Sequence, residues 1–502
     1  MCLTSLTGSD IDFRSQCSDE TRKHLCRTTN NLAILDSADV NGGFMKRLTI
    51  LLLFVLPAVT SAQGTKLSVP YSMFTLPNGL TVILHEDHTT PTVSVNVWYH
   101  VGSARERVGR TGFAHLFEHL MYEGSGHVPE GKYDEWLEAV GGENNGSTSS
   151  DRTNYWINTP SNALELALFL ESDRMGYLLD AMSKRTVDGQ RDVVKNERRQ
   201  SYENRPYGMS SIILDENLYP PDHPYHWPTI GSMADLSAAS YEDVVGFFKM
   251  FYGPNNASLS IAGDIEPAKI RPLVEKWFRD IPPAPPVQPI APPAAFLSAE
   301  KRLMYEDKVS LPRLYLAWQS AAMFRPGDAE LDILANVLAG GKNSRLYKRL
   351  VYDLQIAQDV SAYQSSEQLS STFMITATAR VGHTLKEVEG IIQEELNRLK
   401  TNPPSQREVD RAVNQYEASF LDRLEGIGGF GGKADQLNAY FTETGNPDYF
   451  NEDLGRYKAI DPQDISSVAL TTLRDDARVV LSIVPLGKKE LGSGPAKEVS
   501  VQ

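Results

Sequence analysis

Cysteine is nearly absent from this chain. The only three cysteines, Cys2, Cys17 and Cys26, lie close to the amino terminus. A segment without cysteine forms no disulfides, and any metal ion in it must be held by nitrogen and oxygen atoms. Structural zinc sites are commonly closed by cysteine. A metal site farther along this chain is therefore better explained as one that keeps an open position for chemistry.

Positive charge is also in short supply. The chain has 49 lysines and arginines against 64 aspartates and glutamates, a formal net charge of -15. Binding to nucleic acid requires a basic surface, so this balance argues against a nucleic-acid partner. An acidic exterior suits a soluble protein and is compatible with the binding of basic peptides.

Long apolar runs are missing as well. The one short run, residues 48–56, is too short to span a bilayer comfortably. A basic start at Met45 precedes it and small residues up to Ala62 follow it, an order typical of a secretory signal peptide. We expect residues 1–44 to be a mis-called or disordered leader and residues 45–62 to be the signal peptide. The mature protein should then be periplasmic or secreted, with no integral membrane segment.

Proline is concentrated at one place. Residues 281–293 contain seven prolines, which exclude a helix or a central strand and favour a semi-rigid spacer. We expect a linker over residues 281–298. It would separate a first domain, residues 63–280, from a second, residues 299–490, with a tail over residues 491–502.

The two predicted domains repeat the same pattern. The alternating, strand-like residues 92–99 are echoed by residues 312–318. A helix start followed by an apolar strand closes each domain, over residues 241–261 and again over residues 461–483. Two copies of a unit this long indicate duplication rather than a solenoid. We therefore predict an α+β protein with two homologous domains, each a mostly antiparallel sheet packed with helices.

The motif that carries chemistry is His115-Leu116-Phe117-Glu118-His119. Histidines four residues apart project from one face of a helix and can bind one metal ion. Zinc is the metal that this pattern favours, and Glu118 can reach a metal-bound water as general base. The sequence therefore predicts hydrolytic zinc chemistry.

A catalytic zinc ion needs a third protein ligand. Residues 188–200 read as a helix in which Val193, Val194 and Glu197 share a face, so that Glu197 can point inward. Glu203 is an alternative, although it lies close to Pro206, where we expect the helix to end.

These residues resemble the pitrilysin/insulinase family of zinc peptidases, in particular short bacterial members related to the subunits of mitochondrial processing peptidase. The family combines the inverted motif H-x-x-E-H with a glutamate ligand roughly eighty residues later. The resemblance extends from about Phe74 to about Leu486. It implies one Zn²⁺ per chain, held by His115, His119 and Glu197, with Glu118 as the base of a metalloendopeptidase that cuts peptides or unfolded segments.

The resemblance also implies an architecture. The chain would form half of a peptidase clamshell, with zinc ligands only in the first domain and a second, non-catalytic domain that encloses the substrate. Active clamshells have an arginine and a tyrosine in the non-zinc half, where this chain has Val351 and Gln358. We therefore expect a heterodimer with a paralogue that lacks zinc ligands, with a homodimer as the other possibility. A weakly active metal-binding subunit or scaffold is the alternative function.

Three further features concern the ligands and the substrate. The longer relatives have an acidic residue where this chain has Gln190, which can still hydrogen-bond a ligand from a second shell. The family's substrate strand corresponds here to a polar, edge-like segment that could accept a peptide as an added strand. Its residues are Asn145, Gly146, Ser147 and Thr148. The glycine-rich residues 426–432 resemble a flexible loop of the non-catalytic processing-peptidase subunit that touches substrate, and a plain flexible turn is the equal alternative.

Overall fold

The computed structural model describes residues 66–293 and 295–500. The predicted leader and signal peptide lie outside the described residues. The strands form two six-stranded sheets. They are β1 (Ser72–Thr75), β2 (Thr81–Glu86), β3 (Thr92–Tyr99), β4 (Glu143–Thr148), β5 (Thr153–Pro160), β6 (Ala257–Gly263), β7 (Lys301–Asp307), β8 (Arg313–Ser320), β9 (Ala357–Ser365), β10 (Ser371–Ala379), β11 (Val479–Pro485) and β12 (Lys497–Glu498).

The α-helices fill the connections between strands in both halves of the chain. They are α1 (Phe113–Leu120), α2 (Lys132–Ala139), α3 (Leu164–Ala181), α4 (Lys184–Arg198), α5 (Ser210–Leu218), α6 (Met233–Ala238), α7 (Tyr241–Phe251), α8 (Pro267–Phe278), α9 (Asp328–Ala339), α10 (Leu385–Thr401), α11 (Gln406–Arg423), α12 (Lys433–Thr444), α13 (Phe450–Lys458) and α14 (Pro462–Thr472). Two π-helical turns, Arg199–Glu203 and Tyr347–Asp353, add to the helical structure, as do short 3₁₀ turns at Ser103–Arg105, Ser161–Ala163, Pro254–Asn256 and Lys489–Leu491.

The two sheets share one topology. The first has the order β1-β2-β6-β3-β5-β4 and the second has the order β12-β7-β11-β8-β10-β9. In the first sheet β2 and β6 are parallel, as are β7 and β11 in the second, whereas each sheet's other long strands pair antiparallel. The predicted class of two similar α+β domains with mostly antiparallel sheets is confirmed. The edge strands are β1 and β4 in the first sheet and β12 and β9 in the second.

Strand β3 has an apolar face and a more polar face, and each face packs against a different part of the protein. Val93, Val95 and Val97 point into the core of the first half, where they meet α1, α3 and α8. Asn96 and Trp98 point to the opposite face and donate hydrogen bonds to Asp435, in the first turn of α12. Both faces of this sheet are therefore covered, which explains why β3 is buried along almost its whole length.

Each half covers the outer face of the other half's sheet with one helix. Helix α12, from the second half, packs on β6 and β3 of the first sheet. Helix α5, from the first half, packs on β11 and β8 of the second sheet, with Ile212 and Ile213 in one apolar cluster with Leu481. This exchange buries surface that neither half could cover alone, and the hydrophobic effect then holds the halves together.

The structure describes most of the segments predicted as linker and tail. The described residues of 281–298 form neither helix nor strand and are mostly exposed or partly buried. Ile281 is buried, and Ile290 packs against the cluster around α5. Within the predicted tail, β12 pairs in parallel with β7. The domain boundaries themselves remain predictions. Over the described ranges, no helix is both long enough and apolar enough to cross a membrane.

Candidate metal centre and substrate edge

Helix α1 carries the H-x-x-E-H motif and is fixed at its start by the carboxyl group of Glu106. Gly112 precedes the helix with a φ of 90°, a left-handed conformation that favours glycine. The Glu106 carboxyl accepts hydrogen bonds from the amides of Gly112 and Ala114, each at 2.8 Å. These bonds satisfy amides that the helix itself leaves unpaired. Burial raises the pKa of Glu106 to about 8.

The periodicity of α1 separates its core residues from its polar ones. Phe113, Leu116, Phe117 and Leu120 are buried in the core of the first half. The motif residues His115, Glu118 and His119 are only partly buried and share the other face. The motif therefore projects from a helix whose opposite side is locked by packing.

Helix α4 packs against α1 and brings Glu197 to the histidines. The Glu197 Oε2 atom lies 3.6 Å from His115 Nε2 and 3.3 Å from His119 Nε2. All three ligand atoms lie within 4.8 Å of one another, and in the described part of the chain no other group of three comparable side chains does so. Two imidazole nitrogens and one carboxylate oxygen form a donor set that suits zinc. These three residues could hold a metal ion.

The charge states of this group also suit a cation. Burial lowers the pKa of His115, so the imidazole is neutral at pH 7, the form that binds metal. The hydrogen bond with His119 lowers the pKa of Glu197 and keeps it an anionic carboxylate.

The neighbourhood of Glu197 differs in detail from the sequence-based expectation. Val194 is buried, but Val193 is 45 % exposed and does not share the inward face. The helical path continues past Arg198 through the π-helical turn to Glu203, closer to Pro206 than expected. The Glu203 carboxylate accepts a hydrogen bond from Arg198 Nε at 3.3 Å and is not part of the group of three.

Gln190 does not contact the candidate ligands through its amide. Its Nε2 atom donates to Glu123 Oε1 at 2.5 Å and so ties α4 to the residues that follow α1. Burial raises the pKa of Glu123. The expected second-shell contact is therefore replaced by a bond to a neighbouring carboxyl group. No local pattern indicates this partner, because Gln190 and Glu123 lie on separate elements.

The predicted substrate segment is the edge strand β4. Its pairing with β5 places Asn145 opposite Trp156 and Thr148 opposite Thr153. The Gly146 amide donates to the side-chain oxygen of Asn145 at 2.8 Å. Because β4 has a neighbour on one side only, its other side can accept an added strand.

Two contacts fix the end of this strand, and sequence analysis found neither. The Thr148 hydroxyl donates to Glu118 Oε2 at 2.6 Å. Arg152, in the turn after β4, donates to the backbone oxygen of Ser147 at 2.8 Å and to Asn154 Oδ1 at 2.9 Å. The edge strand thus touches the predicted general base directly.

The glycine-rich loop, residues 426–432, connects α11 to α12 and lies against the first sheet. A Cβ atom on Gly428 would come within 1.9 Å of Asn158 Oδ1 and 2.6 Å of Ser94 Oγ, so only glycine allows this approach. Phe430 packs edge-on against Trp156 with ring centroids 5.8 Å apart. The loop therefore borders the side of β5 that faces away from α1.

Val351 and Gln358, which stand where the family has an arginine and a tyrosine, lie in the second half of the chain, on other elements than the candidate ligands and β4. Val351 is in the π-helical turn Tyr347–Asp353 and packs against the core of the second half. Gln358 is exposed on the edge strand β9. Neither side chain offers the charge or phenol that the family uses there.

Two family models match the chain. The insulinase (peptidase family M16) model matches residues 81–217, which contain all three candidate ligands and Glu118. The model described as the peptidase M16 inactive domain matches residues 238–416. The chain belongs to the M16 peptidase family. The pitrilysin/insulinase resemblance drawn from the motif is confirmed.

Similar M16 proteins include curated relatives and solved structures. A protein named zinc protease PqqE from Helicobacter pylori is 29 % identical over 389 residues, which cover 76 % of this chain and 86 % of the relative. A probable mitochondrial-processing peptidase subunit beta from Arabidopsis thaliana is 24 % identical over 444 residues, which cover 85 % of this chain and 81 % of that relative. The crystal structure of a protease from Helicobacter pylori superposes with a TM-score of 0.76 at 26 % identity and covers 83 % of this chain and all of that one.

Proposed function

We propose that this M16 protein is a zinc-dependent metalloendopeptidase that hydrolyses peptides or unfolded polypeptide segments. The observation that carries the proposal is the convergence of His115, His119 and Glu197 within 4.8 Å, with Glu118 on the same helix face. The names of the relatives, which include several zinc proteases, support it. The proposed ligands hold one Zn²⁺ per chain.

The proposed roles follow from what each group can do. When bound, zinc makes a water molecule acidic enough to ionise near neutral pH and polarises the scissile carbonyl. Glu118 takes the proton of the attacking water on its carboxylate and later delivers it to the leaving amine. His115, His119 and Glu197 would hold the metal ion, and three protein ligands are the number that catalytic zinc sites use.

Substrate binding is proposed at the edge strand. A peptide that adds to the free side of β4, along Asn145, Gly146, Ser147 and Thr148, would be held by backbone hydrogen bonds and bound in an extended form. It would have to displace the Asn145 side chain from the Gly146 amide. Such recognition is tolerant of sequence and suits unfolded segments rather than folded proteins.

The experiment that tests this function is metal-dependent hydrolysis. Quenched fluorescent peptides of varied sequence are incubated with the purified protein, alone and with a paralogue that lacks zinc ligands. We expect cleavage that stops with chelator and returns with one equivalent of Zn²⁺. Zinc-loaded protein that cleaves no peptide under either condition would contradict the proposal.

We further propose that the active form is a heterodimer. One chain supplies two sheet-and-helix units, and Val351 and Gln358 cannot provide the oxyanion contacts that a partner could provide. The relative named as a mitochondrial-processing peptidase subunit beta supports a subunit role. Light scattering with activity measurements decides between the forms: high turnover by the chain alone, as monomer or homodimer, would refute the heterodimer and leave the zinc chemistry intact.

Export to the periplasm or the exterior is proposed from the sequence of residues 45–62.

The second candidate function is a weakly active subunit or scaffold that binds zinc. The substitutions at 351 and 358 favour it, as does the match to a model described as an inactive domain. The absence of cysteine after Cys26 weighs against it, because a purely structural zinc site is commonly closed by a cysteine ligand.

A further inference from the structure

Alternate residues of β4 face opposite sides of the first sheet. The hydroxyl of Ser147 donates to Asn154 Oδ1 at 2.7 Å, on the side of the sheet where Asn154 donates to Asp435. Gly146 and Thr148 face the other way, toward helix α1, because successive strand residues alternate. The strand that would receive a substrate therefore presents one of its sides to the H-x-x-E-H helix.

The contact between this side and the helix is close. The Thr148 hydroxyl donates to Glu118 Oε2 at 2.6 Å, within the range of charge-assisted hydrogen bonds. A Cβ atom on Gly146 would lie 3.3 Å from Glu118 Cγ and 3.0 Å from the Tyr155 ring. Glycine at this position lets the strand approach α1 closely enough for the Thr148 hydroxyl to reach the carboxylate.

We propose that Thr148 is a positioning residue for Glu118: its hydroxyl holds Oε2, so that Oε1 is the oxygen presented to the reacting water. The inference deepens the proposed peptidase function and rests on it. It gives the side chain of Thr148 the role of orienting the general base, while the backbone of Thr148 stays part of the strand proposed to bind the substrate. Among the described residues, Glu118 Oε1 has no hydrogen-bond partner, which leaves it available.

A carboxylate needs such a partner to stay in one orientation. The last torsion of a glutamate side chain has broad, roughly two-fold preferences, so the plane of a free carboxylate turns easily. Proton transfer requires a heavy-atom separation of about 3 Å, and a misplacement of about 1 Å can cost a hundredfold in rate. Because Thr148 ends the strand that binds the substrate, its hydroxyl also ties the base to the same element.

The test compares zinc-loaded Thr148→Val, Thr148→Ser and wild type, each with the partner if the partner is required for activity. Valine keeps the shape of threonine without its hydroxyl, and we expect kcat to fall about tenfold to a hundredfold while KM and zinc content stay unchanged. Serine restores the hydroxyl and should recover most of the activity. Thr159→Val is the matched control, because Thr159 is buried on β5 and its hydroxyl has no hydrogen-bond partner within the described residues.

Combining the substitution with Glu118→Gln isolates the interaction. If Thr148 acts through the Glu118 carboxylate, Thr148→Val should cause little further loss in the Glu118→Gln background, because coupled residues are not additive. Additive losses in the double variant would overturn the proposal. An unchanged kcat in Thr148→Val, or a rise in KM alone, would overturn it as well.

A second readout does not depend on activity. Crystal structures of zinc-loaded wild type and Thr148→Val should show Glu118 in one orientation in the former and turned or in several orientations in the latter. The same orientation in both would overturn the proposal, whatever the peptides show. If wild type cleaves no peptide but the structures differ as expected, the peptidase function has failed and the positioning contact stands.

Discussion

Trp98, on β3 of the first half, donates its indole N–H to Asp435 of α12 in the second half at 2.8 Å. The same carboxylate accepts from Asn154 at 2.8 Å, Asn96 at 3.2 Å and the amide of Gly431 at 2.8 Å. One nearly buried side chain thus joins two strands of the first half to the glycine-rich loop and to α12. A carboxylate with four donors is well satisfied, and its loss leaves each donor without a partner.

We therefore predict that Asp435→Ala lowers the free energy of unfolding by about 3 kcal/mol, since each orphaned buried donor costs about 1 kcal/mol or more. Asp435→Asn, which keeps one acceptor oxygen, should lose less. Urea midpoints of the three proteins give the comparison, with Asp422→Ala, an exposed position on α11, as control. A midpoint for Asp435→Ala equal to that of the control would contradict the joining role.

Removal of the general base should separate metal binding from catalysis. Glu118→Gln leaves the three candidate ligands intact, so zinc content should stay at one per chain. Hydrolysis should fall about a hundredfold to ten-thousandfold, the usual loss when a positioned base is removed. Zinc analysis and peptide turnover on the same preparation check this, and full activity in the metal-loaded variant would rule out Glu118 as the base.

The third ligand can be identified by metal stoichiometry. Glu197→Ala should lose zinc as severely as His115→Ala, because three ligands become two. Glu203→Ala should retain zinc, since the Glu203 carboxylate pairs with Arg198 instead. If zinc were retained in Glu197→Ala and lost in Glu203→Ala, the metal-bound protein would have to bring Glu203 to the histidines. The helical register after Lys184 would then differ from the one described above.

A buried carboxyl group, located where the β4–β5 turn meets the β9–β10 turn, should make the stability of the protein depend on pH. Glu367, before β10, accepts a hydrogen bond from Ser150 at 2.8 Å, and burial raises its pKa to about 7. Between the ordinary value of 4.5 and about 7 the folded protein therefore binds more protons than the unfolded chain. Stability contributed by this group is complete below pH 4.5 and is lost as the pH rises to about 7.

Glu367→Gln should flatten this part of the pH profile. One group changes the free energy of unfolding by at most about 1.4 kcal/mol per pH unit. Urea midpoints from pH 5 to 8, measured with chelator so that zinc does not contribute, should converge for wild type and variant at low pH. Glu425→Gln, at an exposed loop position, is the control. Parallel profiles for wild type and Glu367→Gln would refute the assignment.

Export can be tested on the protein from its native host. The basic start at Met45 and the small residues before Gln63 predict a mature amino terminus close to Gln63. A protein that lacks residues 1–44 should be exported, folded and as active as the full chain. Amino-terminal sequencing of the active protein decides, and a sequence beginning at Met1 or Cys2 would disprove processing.

Local periodicity by itself determined much of this protein. The four-residue spacing of His115 and His119 requires only that α1 be helical, so the motif could be read before any fold was known. The alternation in residues 92–99 likewise predicted β3, and the repeated patterns predicted two similar sheets. Each of these features depends on residues that are close in sequence, where backbone geometry fixes which side chains share a face.

Tertiary structure decided what depends on distant parts of the chain. That Glu197 rather than Glu203 meets the histidines depends on how α4 packs on α1. The bond from Thr148 to Glu118 depends on β4 lying at the sheet edge beside that helix. The contacts of Asp435 require α12 to cross to the other half. Such contacts arise from the summed packing of many side chains, and no local pattern encodes which surfaces finally meet.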